Sequence, residues 1–162
     1  MKRRIIAIIS IIGVCVSLSA CAKEETPTPS VENSVTTSAS TMSELTEPSE
    51  HGTSAYVDYI CYKAKTDAED ATDEELQAAL DWLKENVENI FSSQENMELT
   101  MYNGELLEYR YKKTGNDFEK IGWQAFKTVK YVYRGAETKS DQATVDNYAK
   151  LKELLSAADD IA

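Results

Sequence analysis

The chain has 162 residues, with 28 Asp and Glu, 17 Lys and Arg and one His, for a net charge of −11. That balance excludes general nucleic-acid binding, which calls for a basic footprint. Three cysteines in the whole chain exclude a disulfide-dense scaffold, and the length suits one small domain.

Residues 1–20 read as an export signal. Lys2, Arg3 and Arg4 form a cationic start, residues 5–16 are almost wholly apolar, and Ser17 to Ala20 supply small residues before a cleavage point. The tetrapeptide Leu18-Ser19-Ala20-Cys21 resembles the lipobox of bacterial lipoproteins at every position. The resemblance implies that the Cys21 thiol receives a diacylglycerol and becomes the new N-terminus after cleavage. It also implies a protein held to the cell membrane by that lipid, on the extracytoplasmic face. Two other readings of the same residues remain. Ala20-Cys21-Ala22 fits ordinary secretory cleavage, and residues 5–22 are just long enough to stay as an uncut anchor. Cleavage before Cys21 leaves 14 cations against 28 acids, a net charge near −14.

Residues 21–54 are expected to be a lipidated cysteine followed by a flexible stalk. Ser, Thr, Glu and Pro dominate there, and too few apolar groups are present to offset the entropy of ordering. The chain's one histidine, His51, falls in this stalk.

From Ala55 onward the expected architecture is all-α, a small bundle of four to five helices over residues 55–162. The stretch "AYVDYICYKAKTDA" fits two patterns: Tyr56, Ile60 and Tyr62 alternate like a strand, whereas Val57, Ile60, Cys61 and Ala64 fit a helix. With no second strand to pair with, a short helix is preferred. Residues 73–91 give the clearest helix, with Leu76, Leu80, Leu83, Val87 and Ile90 on one face and a capping box from Thr72 to Glu75. A second runs over 94–113, started by Ser92 and Glu95, with Met97, Met101, Leu107 and Tyr111 as its apolar side. Gly104 inside it means either close approach of a neighbouring backbone or a broken helix. Gly115 ends that helix, Asn116 caps a third over 117–134, and Gly135 ends the third. Thr138 or Ser140 starts the last, which aligns Val145, Tyr148, Leu151, Leu155 and Ala158. The segments "NMELTMYNGELLEY" and "VKYVYRGAETKSDQAT" resemble those of small lipoproteins of Gram-positive bacteria, a class that implies no particular activity.

Chemistry-bearing motifs are scarce. The acids Asp67, Glu69, Asp70, Asp73, Glu74 and Glu75 lack the glycine and the spacing of a calcium loop. One histidine without partners does not build a zinc site, and no phosphate loop or GxSxG occurs. Cys61 has no histidine partner outside the stalk and reads as a small, partly buried apolar residue. No cofactor and no metal are expected. Nothing assembles nucleophile, base and orienter, so no enzyme is expected either. One arrangement stands out in residues 121–134. Ile121, Ala125, Val129 and Val132 share one helical side, and Trp123, Lys127, Lys130 and Arg134 line the opposite side. That line is either a contact surface for an anionic partner or a local feature. In the local case Trp123 folds over Lys127, or the acidic helix around Asp81, Glu85 and Glu88 covers it. The leading expectation is therefore a lipid-anchored binding module for an envelope macromolecule. The alternatives are a small-ligand carrier with a pocket between helices, or an immunity-type surface factor that excludes phage or toxin.

Overall fold

The computed structural model describes residues 45–161; Leu18, Ser19, Ala20, Cys21 and most of the expected stalk lie outside the described residues. The first four α-helices begin where a short polar side chain takes an amide that the helix leaves unbonded. Thr53 Oγ1 accepts from Tyr56 N (3.2 Å) at the start of α1, Ser54–Asp70. Thr72 and Glu75 form the expected capping box at α2, Asp73–Asn86. Ser93 opens α3, Gln94–Tyr111, and Asn116 opens α4, Asp117–Tyr133. Asp141 precedes α5, Gln142–Ala157. Among the described residues there is no strand, and the protein is all-α.

The ambiguous stretch is thus a 17-residue helix rather than a short one. It buries Tyr56, Val57, Ile60, Ala64 and Ala68, one face at helical spacing. Three boundaries differ from expectation. α2 stops at Asn86 and gives way to one 3₁₀ turn, Val87–Asn89, because Asn86 Nδ2 bonds back to Trp82 O (2.9 Å) and competes with the helical ladder. α3 is capped by Ser93, not Ser92, whose hydroxyl is spent on Asn89 O (2.7 Å). α5 begins at Gln142, after a turn in which Asp141 Oδ2 accepts from Thr138 N (2.7 Å).

Residues 47–53, given to the stalk by their composition, pack on the helices. Tyr56 Oη donates to Glu47 Oε1, and the His51 ring stacks on Tyr56 with centroids 4.1 Å apart. His51 Nδ1 and Tyr133 Oη both reach Glu98 Oε1 at 2.7 Å. His51 therefore belongs to a polar clasp between this arm, α3 and α4.

α3 and α4 form the centre, with α1 and α2 packed on α3 and α5 packed on α4. The core is built from Leu76, Leu80, Leu83, Ile90, Met101, Leu107, Ile121, Val129 and Leu151, all with no exposed surface. Gly104 resolves in favour of close approach. A Cβ there would lie 2.8 Å from Gly122 O, and a Cβ on Gly122 would lie 2.5 Å from Glu108 N. The two glycines let the α3 and α4 backbones touch. In α5 the apolar line is only partly buried: Val145 stays 44% exposed while Thr144 turns inward, its hydroxyl bonded to Glu137 (2.7 Å).

Candidate interaction face

α4 is amphipathic in an unequal way. Ile121, Gly122, Gln124, Ala125, Phe126, Thr128, Val129 and Tyr133 are buried, so more than half its circumference faces neighbours. The remaining strip carries the expected line. Trp123 is 46% and Tyr131 38% exposed, which makes them the outermost aromatic rings of this helix. Lys130 stands between them, its Nζ 5.3 Å from the Trp123 ring centroid, 4.9 Å from Tyr131 and 4.9 Å from Phe126. Arg134 lays its guanidinium 5.0 Å from the Tyr131 ring and is steadied by Ser54 Oγ (3.1 Å) and Lys130 O (3.3 Å).

Of the four residues read from spacing, Trp123, Lys130 and Arg134 are thus brought together through the rings. Lys127 lies half-buried on the same strip without an ion pair among the described residues. Trp123 meets Lys130, two turns on, and not Lys127. Nor does the acidic helix cover this face. α2 packs on α3 and α5, where Glu88 takes Tyr148 Oη (2.9 Å) and lies 3.6 Å from Lys152 Nζ, while Asp81 takes Gln77 (2.7 Å). Tyr131 and Phe126 extend the cluster beyond what spacing identified.

A second feature, on α3, was not singled out from the sequence. Glu105 on α3 is only 4% exposed. Burial, then the neighbouring Glu108 carboxylate, raises its acid to about 7, against smaller opposing effects of the Cys61 thiol and Lys112. Burial also raises Glu108, opposed by Lys112 and, across the helix crossing, by Lys130. Glu108 Oε2 is buried without a hydrogen-bond partner. Two acids thus stand close together on the buried side of α3, and burial together with their mutual repulsion favours the neutral form of Glu105. Cys61, half-buried beside them, has its thiol pushed up to about 12 by burial and by the Glu105 charge, which makes it a poor nucleophile. A visible signal did exist: Glu105 and Glu108 continue the Met97–Met101 line at steps of four and three, placing two acids on an apolar stripe.

Most of the other buried polar groups bond within the fold. Thr100 and Thr128 bond the carbonyls four residues back, and Gln124 donates to Asn147 O (2.7 Å), tying α4 to α5. Among the described residues no group of His, Cys, Asp and Glu is arranged to hold a metal ion, and no helix is long and apolar enough to cross a membrane. The chain is a small all-α bundle with a cationic, aromatic strip on one central helix. Compared with protein-family models, curated proteins and solved structures, it matches none.

Proposed function

We propose that this chain is a lipid-anchored, extracytoplasmic binding module without catalytic activity, which meets an anionic envelope partner through the strip of Trp123, Lys127, Lys130 and Arg134. The observation that carries it is the exposed pair Trp123 and Tyr131 with Lys130 and Arg134 stacked against them. Aromatic rings and arginine are the residues most enriched at interface centres. Cations already lying on aromatic faces have lost part of their side-chain freedom before binding, so less is lost on contact. The sign of the surrounding surface matters too. A chain with a net charge of −11 repels an anion from most directions. Screening confines that repulsion to about 8 Å at physiological salt, so the strip itself decides where an anionic partner lands.

Anchoring through Cys21 rests on the lipobox resemblance. Replacing Cys21 by Ser is expected to abolish fatty-acid labelling and release the protein from the membrane fraction, since stable attachment needs the acyl chains. Labelling that persists in Cys21→Ser ends that part of the reading.

The face is tested by changing Lys127, Lys130 and Arg134 together to Gln, which keeps helix-compatible side chains. Stability is expected to fall by no more than about 0.5 kcal/mol per site, the usual range for surface changes. Retention on native envelope preparations should drop about tenfold or more, and the residual binding should respond less to salt. Undiminished retention, measured with a normal melting curve, removes the face.

A further inference from the structure

α1 and α2 both pack on α3, and between the three helices a cleft of about 640 Å³ opens. Its apolar wall is made by Trp82 of α2 with Leu99 and Tyr102 of α3, and Leu99 is 37% exposed although it belongs to a central helix. Its rim carries the carboxylates of Asp67, Asp70 and Glu75. Asn103 also lines it. That residue is only 9% exposed, and its side-chain amide has no hydrogen-bond partner among the described residues. Its amide atoms are not sealed from solvent, since the fully buried side-chain atom left without a partner among the described residues is Glu108 Oε2, so they are free to meet a ligand in the cleft. An unpaired amide opening onto a walled cleft is what a ligand-binding polar group looks like before its ligand arrives.

The chain itself displays the chemistry that suits the rim. Lys63 places its ammonium 2.6 Å from Asp67 Oδ2 and 5.4 Å from the Tyr102 ring centroid, and Tyr102 Oη donates to the same carboxylate oxygen (2.6 Å). Lys63 satisfies Asp67, and Glu75 is turned toward the Thr72 cap. Asp70 makes no hydrogen bond or ion pair among the described residues. Three carboxylates against one ammonium leave a negative mouth above an aromatic wall.

We propose that this cleft is a binding site for a small amphiphilic cation, an ammonium carried on an aromatic or aliphatic body. The ammonium meets Asp70 at the rim, the body lies against Trp82, Tyr102 and Leu99, and a hydrogen-bonding group reaches Asn103. The site is separate from the α4 strip and of opposite sign, so it stands whether or not the strip binds a partner.

Trp82 reports on it directly. The chain has two tryptophans, and Trp123→Phe in the full-length protein leaves Trp82 as the only one. Three probes share one body and differ in the head: 3-phenylpropylammonium, 3-phenylpropanol and 3-phenylpropanoate. A saturable change in Trp82 emission is expected with the ammonium, weaker binding with the alcohol and none with the carboxylate. Asn103→Leu should weaken the ammonium about tenfold while the melting temperature holds or rises, because the lost amide was unpaired. If that variant is destabilised, Asp70→Asn at the exposed end of α1 serves instead, with weakening of about threefold to fivefold, as for an exposed charge pair. Equal responses to all three heads overturn the proposal, as does no saturation below about 10 mM, too weak for a specific pocket. So does unchanged ammonium binding in a well-folded Asn103→Leu or Asp70→Asn protein.

Discussion

Adding one methyl group at Gly122 is expected to cost more stability than any other small substitution in this protein. In an ordinary helix interior, Gly→Ala stabilises by about 1 kcal/mol through helix propensity. Here the sign reverses. The new Cβ would fall against the Gly104 carbonyl oxygen, 2.5 Å from Glu108 N and 3.1 Å from Glu108 Cα. All three are backbone atoms of α3, so no rotamer relieves the contact; α3 and α4 have to separate. That pair is the centre on which the other helices pack, and separating it loosens contacts around Ile121, Ala125 and Leu107 at once. Overpacking a rigid core costs about 1–3 kcal/mol and more where backbones must move, so we expect a loss of about 3 kcal/mol or more. For a domain of this size that lowers Tm by roughly 10 °C or more. Gly115→Ala is the control. Gly115 has φ +70° and an added methyl group there would meet nothing within 4 Å, so it bears only the local strain of about 1–2 kcal/mol. A Gly122→Ala protein that melts above the Gly115→Ala protein would show that the two backbones do not meet.

The same crossing explains what could and could not be read from the sequence. α2 lies at the edge of the bundle and buries one side, so Leu76, Leu80 and Leu83 announce it at spacings of four and three. α3 is surrounded by α1, α2 and α4. It buries Thr100, Asn103, Gly104 and Glu105 along with Met101 and Leu107, and a helix buried on several sides shows only part of its buried surface as an apolar stripe. Met97, Met101, Leu107 and Tyr111 marked the helix but not its burial on several sides, and the choice between a break and a close approach at Gly104 needed Gly122, eighteen residues on, to settle it. The candidate face behaved differently. Its cations were legible because they repeat on one side of α4. Their pairing was not, because Lys127 and Lys130 stand at comparable angular distances from Trp123, and only the rotamers decide that Lys130 takes the ring. The arm at residues 47–53 was illegible from composition for another reason: its contacts are made by Glu47 and His51, polar residues that sequence reasoning assigns to solvent.

Raising the pH from 5 to 8 is expected to destabilise the parent protein relative to a Glu105→Gln variant. In the unfolded chain Glu105 has its ordinary value of 4.5; in the fold, burial and the Glu108 charge raise it to about 7. Between those values the native state holds a proton that the unfolded state has released. Unfolding then liberates a proton, and stability falls as pH rises, by up to about 1.4 kcal/mol per pH unit. The stabilisation is complete below the unfolded value and gone above the folded one, so the window runs from about pH 4.5 to 7. Gln at this position is uncharged throughout and keeps a donor for the Glu108 carboxylate. At pH 5 the two proteins should therefore have similar stability, within about 1 kcal/mol for a near-isosteric exchange. At pH 8 the variant should be more stable by about 2 kcal/mol, the cost of ionising a carboxyl buried beside another. Urea unfolding at each pH unit measures the difference between the two proteins, which cancels the general effect of a net charge of −11. Parallel curves would mean that Glu105 is solvated and ionises as an ordinary acid. Diverging curves would show that Glu105 carries its proton into the neutral range. Lys130 of the α4 strip acts on Glu108 across the helix crossing, so the strip and the two buried acids are electrostatically linked.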